Sequence, residues 1–365
     1  MLAELTEDQK EIRDLVRTVL ATRPIGGTGE LSLPEQARAD WATLAEELGV
    51  GALLVPEDHD GLGLGFAEFC AILTECGRAL SPAPVLSSGL ATLAVQLSSC
   101  QTARNRWLPA FATGTIGALA LAEDDDQWFA TTPATRAELL NDDTWRLTGH
   151  RLFVQDAELA DVIVVTAATT HGRGLFLART DDPTVTITPM PTMDPSRGQA
   201  TVHFDATTAD RLDTHTPDLV DTLHDHALVA LAAEQCGIAE HALDLSVTYA
   251  RERHQFGRPI GSFQAVKHHC ADILVDVERM RSITQHGIWA IQTTHPERTT
   301  IAAAAQAICS ESAVTTTLTA IQIHGGIGFT WEHELHRYTR RAKTNETYLG
   351  QPATHRNRIA DHITT

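Results

Sequence analysis

The chain has 365 residues, 43% of them apolar and 21% charged, enough material for two or three packed domains and a balance that excludes disorder, collagen and a disulfide miniprotein. Its 28 Lys plus Arg against 47 Asp plus Glu give a formal charge of −19, which repels phosphate backbones and anionic lipid surfaces; nucleic acid is not an expected partner, and an anionic ligand needs a local cationic site. The six cysteines hold no Cys-x-x-Cys pair, so zinc and other metals are not expected, and the start of the chain lacks the basic and apolar stretches of a signal peptide. No apolar run approaches the ~18 residues of a membrane span. A reducing cytoplasm is the expected compartment.

In chain order, Thr6-Glu-Asp-Gln9 reads as a capping box opening a helix with apolar Ile12, Val16 and Leu20 on one face. Helical patterns follow over about 36–48, 65–80 and 87–112, separated by the Gly and Pro clusters at Val55-Pro56, Gly61 to Gly65 and Ser81 to Pro84. Residues 1–115 therefore read as an N-terminal helical domain. The texture changes over 116–214, where short β-rich runs (Trp145 to Val154, Asp161 to Ala167, Gly174 to Ala178, Thr184 to Thr188, Ala200 to Phe204) are punctuated by Gly, Asp and Pro. They predict a small antiparallel β domain. Over 215–365 helical periodicity returns, with stripes at Ala239, Ala242, Leu243, Ser246, Val247 and Ala250 and at Val266, Cys270, Ile273, Leu274 and Val277. Four long helices joined by short turns predict a C-terminal four-helix bundle, making the whole an α+β multi-domain chain.

Two segments can carry chemistry. Arg251 to Gln264 ends one helix, turns through Gly257 and Pro259 and starts the next; its arginines and aromatic can hold a diphosphate and stack on a planar group, although cations at a helix C-terminus followed by a Gly-Pro stop are the commoner reading of such a segment. Gln322-Ile-His-Gly-Gly-Ile-Gly-Phe329 runs a helix into three glycines, which admit a closely approaching ligand or simply end the helix. His268, His269 and His324 read as ordinary core or solvent-facing histidines, and Asp124 to Asp126 as a solvated turn without a companion ligand at metal spacing.

Taken together, Val55-Pro-Glu-Asp-His-Asp-Gly-Leu-Gly63, Glu75-Cys-Gly-Arg-Ala-Leu80, Trp145-Arg-Leu-Thr-Gly-His-Arg-Leu-Phe-Val154 and these two C-terminal segments resemble the acyl-CoA dehydrogenase family over nearly the whole chain. The resemblance implies a helical domain, a β-barrel-like middle and a C-terminal bundle. It also implies FAD, with a glutamate removing the α-proton of an acyl-CoA thioester while the β-hydrogen leaves as hydride. In that family FAD lies at a dimer interface, one subunit surrounding the ring system and its neighbour holding diphosphate and adenosine.

The two halves map differently here. Arg253, Phe256, Gln264, Gln322, Gly325 and Gly326 match the neighbour-side residues. On the ring side, the Thr-Glu-Pro-Gly-x-Gly-Ser-Asp loop is replaced by Ala122-Glu-Asp-Asp-Asp-Gln-Trp-Phe129 and the Trp-Ile-Thr strand by Phe153-Val-Gln155. Leu349 stands where the usual catalytic glutamate is expected and Ala227 at the alternative position, so no catalytic residue is assigned; Glu346, His226 and Glu234 are substitutes to weigh. The resemblance thus implies the non-catalytic subunit of an actinobacterial α2β2 acyl-CoA dehydrogenase of the steroid side-chain type. Such a subunit is active only with a homologous partner carrying the glutamate, and passes electrons to an electron-transfer acceptor. The rival readings are a self-sufficient homomeric dehydrogenase with an unusual base, and a non-redox acyl-CoA-binding or scaffold protein.

Overall fold

The computed structural model describes residues 6–23, 32–123, 128–130, 132–141, 144–213 and 218–364. Helix α1 (Glu7–Leu20) starts on the expected box: the Gln9 N–H donates to Thr6 Oγ1 at 3.2 Å and the Thr6 N–H to Gln9 Oε1 at 3.0 Å. It is followed by α2 (Leu33–Leu48), α3 (Phe66–Arg78), α4 (Val85–Gln96) and α5 (Gln101–Ala112). The pattern over 87–112 is thus two helices rather than one. Ser98 turns its hydroxyl to the Leu212 carbonyl at 2.5 Å and accepts the Cys100 N–H at 3.0 Å, a tertiary contact that the local apolar run does not announce.

The strands are β1 (Gly117–Ala120), β2 (Arg136–Asn141), β3 (Thr144–Gln155), β4 (Val162–Thr169), β5 (Gly172–Arg179), β6 (Val185–Met190) and β7 (Gln199–Arg211). Pairings pass from β4 through β2, β3, β7 and β5 back to β4, so the sheet curls onto itself, with β6 added beside β7. The β2–β3, β3–β7, β4–β5, β5–β7 and β6–β7 pairings are antiparallel, but β1 and β2 both join β4 in parallel, so the expected antiparallel domain is a mixed sheet. Gly117 opens β1 because a Cβ there would run into Ala91 of α4.

The C-terminal helices are α6 (Leu219–Glu252), α7 (Gln264–Gln292), α8 (Arg298–His324), α9 (Leu335–Thr347) and α10 (Pro352–Thr364), with a short hairpin β8 (His254–Gln255) and β9 (Arg258–Pro259) between α6 and α7. The expected fourth long helix is two helices of 13 residues, α9 and α10. Leu349 and Gly350 adopt left-handed backbone between them, and Pro352 begins a new helix where its missing N–H costs nothing. The Ala239 to Ala250 stripe faces the core, whereas Leu274 of the second stripe is exposed.

By packing the chain forms two compact units. One comprises Met1–Thr28, Cys70–Ser81 and Leu228–Thr365, the other Gly29–Phe69 and Pro82–Ala227. In the first, α3 and α6 meet through reciprocal glycines: a Cβ on Gly77 would strike the Glu234 carbonyl, and one on Gly237 the Thr74 carbonyl. The Thr74 hydroxyl fills the notch by donating to the Ala233 carbonyl at 3.2 Å.

Candidate functional site

At the end of α6, Arg253 still bonds its N–H to the Tyr249 carbonyl (2.9 Å), and its own carbonyl accepts the Ile260 N–H (2.7 Å), closing the β8–β9 hairpin. The two turn residues, Phe256 (φ 54°) and Gly257 (φ 77°), both have positive φ, as a two-residue hairpin loop demands. Glycine accepts that conformation freely; a bulky aromatic does so at a cost of order 1–3 kcal/mol. Yet Phe256 is 90% exposed, so burial within this chain does not offset the strain. Its ring meets Phe263 edge-on at 6.1 Å, and the Arg258 guanidinium lies 4.0 Å over Phe263. Arg253 and Gln264 are also exposed, the latter opening α7.

The second segment lies at the end of α8. Gly325 takes φ 64° and ψ −140°, a conformation reserved for glycine, and opens a 3-10 turn over Gly325–Phe329. A Cβ on Gly325 or Gly326 would meet nothing within 4 Å, whereas one on Gly328 would press on the Ile321 carbonyl at 3.0 Å. The first two glycines are therefore not required by packing inside the chain; they leave bare backbone facing outward. Gln322 is exposed one turn earlier, and Phe329 (75%) and Trp331 (70%) are exposed alongside.

The roots of the two segments are tied together. Tyr249, one turn before Arg253, stacks on His324 at 4.3 Å, and His333 meets His324 edge-on at 4.8 Å. His324 is buried, its Nδ1 lies 2.8 Å from the Ala320 carbonyl, and burial pushes its pKa down. It is a stacked core group, while His268 and His269 are solvent-facing.

The ring-side residues belong to the other unit and present a different surface. Asp124 to Asp126 lie outside the described residues. Glu123 is buried and accepts the Ala134 N–H and the Nη1 of fully buried Arg151, whose Nη2 bonds the Thr166 carbonyl. Trp128 packs against Phe153 at 6.2 Å, and Phe153 sits at φ 53° where β3 loses register between Arg151 and Val154. The Gln155 amide is occupied by Asp156 at 3.2 Å.

The two positions at which the resemblance places a base, Leu349 and Ala227, carry no proton acceptor in their side chains. Leu349 is 1% exposed, and Ala227 is fully buried. Of the substitutes, Glu346 is paired with Lys343 at 2.9 Å, and His226 has its Nδ1 2.7 Å from the Thr222 carbonyl and its ring against Phe66. Glu234, with no exposure, accepts from Arg341 Nη1 at 3.1 Å and Asn345 Nδ2 at 3.2 Å. Beside it Gln235 donates to Gln306, which in turn reaches the Asn345 carbonyl, so polar pairing anchors the Leu349 turn from below. Sequence reading missed His355. Its Nε2 lies 3.1 Å from the Gly350 carbonyl, and burial, helped by Arg358, pushes its pKa down to about 4.

Helical elements together with a self-closing sheet make an α+β fold, with cation, aromatic and bare glycine backbone exposed at two helix ends. The family model for the acyl-CoA dehydrogenase N-terminal domain matches residues 6–115, and that for the C-terminal domain residues 220–364. The acyl-CoA dehydrogenase IpdE2 of Mycobacterium tuberculosis is 33% identical over 95% of this chain and 94% of its own. The chain belongs to the acyl-CoA dehydrogenase family, whose members are FAD-dependent oxidoreductases. Among solved structures, a variant of the Tcur3481-Tcur3483 steroid ACAD matches with a TM-score of 0.88 and 28% identity, covering 98% of both chains. The ChsE4-ChsE5 complex from Mycobacterium tuberculosis matches with a TM-score of 0.86 and 27% identity, covering 99% of this chain and 98% of that one. Among the described residues no helix is long and apolar enough to cross a membrane, and no group of three or more His, Cys, Asp or Glu is placed to hold a metal.

Proposed function

We propose that this chain is the non-catalytic subunit of a heteromeric acyl-CoA dehydrogenase of α2β2 form, completing the FAD site of a homologous catalytic partner. The observation that carries the reading is the outward placement of Arg253, strained Phe256 and the open Gly325-Gly326 backbone, together with a buried Leu349 where the resemblance places a glutamate. FAD, when bound there, supplies the hydride acceptor. Arg253 holds the diphosphate by charge-assisted hydrogen bonds, Phe256 offers a stacking face, and the Gly325-Gly326 backbone admits close approach. Gln264 and Gln322, at neighbouring helix ends, orient the polar edge of the adenosine half.

The partner supplies the base and the ring-side hydrogen bonds, because here Gln155 is occupied and Leu349 has no lone pair to accept a proton. The similarity to a steroid dehydrogenase and to a two-component complex supports a bulky, polycyclic acyl-CoA as the substrate class and a homologous partner subunit.

Co-expression with a homologue that carries a glutamate at the position of Leu349 tests this. One FAD per two chains is expected, and Arg253→Ala in this subunit removes it. One FAD per chain, with thioester turnover by this protein purified alone, defeats the proposal.

A further inference from the structure

In the β-containing unit, β3 and β7 run antiparallel through four consecutive pairs, from Thr148 opposite Asp205 to Arg151 opposite Val202, set between two breaks in register. Every second side chain of such a ladder points to one face. Arg151, Val202 and Phe204 are buried, so His150 and His203, directly opposite each other, both stand exposed on the outer face. The His150 carbonyl accepts the Thr135 hydroxyl at 3.0 Å, and Gly149 lets that segment approach, because a Cβ there would strike Thr135. On its other side His203 faces Thr186 of β6, a small and exposed neighbour. The backbone around both imidazoles is therefore fixed, while the space above them is open. The two residues lie on different strands, so no local spacing announces the pair.

The two rings have centroids 5.4 Å apart and planes inclined at 33°. A metal ion held by two imidazole nitrogens at ~2.0–2.1 Å lies roughly 3.2 Å from each ring centre, which at a tetrahedral angle puts the centres about 5.2 Å apart. The observed spacing meets that requirement with neither strand moved. A second pair of histidine rings, His324 and His333 at 4.8 Å, is of another kind: His324 is buried, stacked on Tyr249, and its Nδ1 lies against the Ala320 carbonyl. Around the exposed pair, Asp205 stands on the same face two residues along β7, Arg136 lies on β2 opposite Thr148, and the chain as a whole carries −19, a field that draws cations. Two side chains fall short of the closed four-ligand cage of a structural zinc site, so water completes the coordination shell. Imidazole selects zinc, nickel and copper over magnesium and calcium, which take oxygen ligands.

We propose that His150 and His203 form a two-imidazole chelate for a divalent transition-metal ion on the outer face of the sheet, binding copper(II) more tightly than zinc(II). The chelate exists only while β3 and β7 are paired, so the ion stabilises the folded domain by linkage. It uses none of the residues assigned to FAD or to the base position and stands whether or not the flavin reading does.

The test titrates copper(II) and zinc(II), with magnesium as the hard-cation control, into the full chain after treatment with a chelator. Affinity is read by calorimetry and the copper environment by electron paramagnetic resonance. The first copper equivalent is expected to couple to two nitrogen nuclei, and His150→Gln and His203→Gln are each expected to weaken it about tenfold or more. Zinc is expected to raise the unfolding midpoint of the wild type and of neither variant, and magnesium to raise none. Both side chains are exposed, so the metal-free midpoints of the variants should match the wild type. The proposal is overturned if neither substitution weakens copper, if only one does, or if magnesium competes at equal concentration. Copper held elsewhere on the chain is blind to both substitutions and counts against it.

Discussion

Phe256 and Leu349 both have positive φ, 54° and 62°, which bulky side chains avoid, and opposite environments. Leu349 is 1% exposed, above the Glu234–Arg341–Asn345 pairing, and its burial offsets the strain. Phe256 is 90% exposed and gains nothing comparable from its own chain. Packing offsets the strain at Leu349 and not at Phe256, and that contrast is the ground for proposing that Phe256 serves a contact outside its own chain. The position at which the family resemblance places a base is buried, and the segment proposed to serve a neighbour is exposed.

Four experiments bear on that contrast, in decreasing order of effect. Glu234→Ala strands the buried Arg341 charge beneath the Leu349 turn and should cost roughly 3–5 kcal/mol in urea unfolding; Glu234→Leu with Arg341→Met should recover most of it. A loss below about 1 kcal/mol would show that the pairing does not hold the turn.

Next comes pH. The His355 pKa is about 4 when folded against an ordinary value of about 6.5, so between those values the unfolded chain binds the extra proton. Its contribution is complete above pH ~6.5 and is lost as pH falls toward 4, about 3 kcal/mol in all. His355→Gln should flatten that part of the stability profile, read as unfolding midpoints across the range.

Third, Phe256→Gly should raise the stability of the isolated chain by up to about 1 kcal/mol by releasing the strained φ, while weakening FAD retention in the co-expressed complex. A stability loss instead would mean that the ring is packed after all. Last, Arg253→Ala should leave the unfolding midpoint within about 0.5 kcal/mol of wild type, as expected of an exposed side chain, whatever it does to FAD content.

Much of this was legible from composition and local pattern. The Thr6–Gln9 box works through contacts three residues apart, and the strand runs from Trp145 onward carry β-rich texture. What escaped depends on partners distant in sequence. Strand β1 is Gly-Ala-Leu-Ala, without a β-branched residue, and exists because β4 pairs with it. The break after α4 depends on Ser98 finding Leu212. At the candidate site the glycines and the arginine were visible as segments. The Tyr249–His324 stack that joins them, and His355 beneath the Leu349 turn, were not, because nothing in either neighbourhood names its counterpart.

The reciprocal glycines of α3 and α6 bear on how the molecule can be cut. Residues 70–81 pack as part of the same body as residues 228–365, seated in a groove only glycine leaves open. An expressed fragment covering the last helices alone would leave that groove unfilled and wet, and should emerge insoluble or as a swollen, dye-binding globule. Supplying a peptide that spans α3 in trans should rescue it, whereas the same peptide with Gly77 replaced by valine should not.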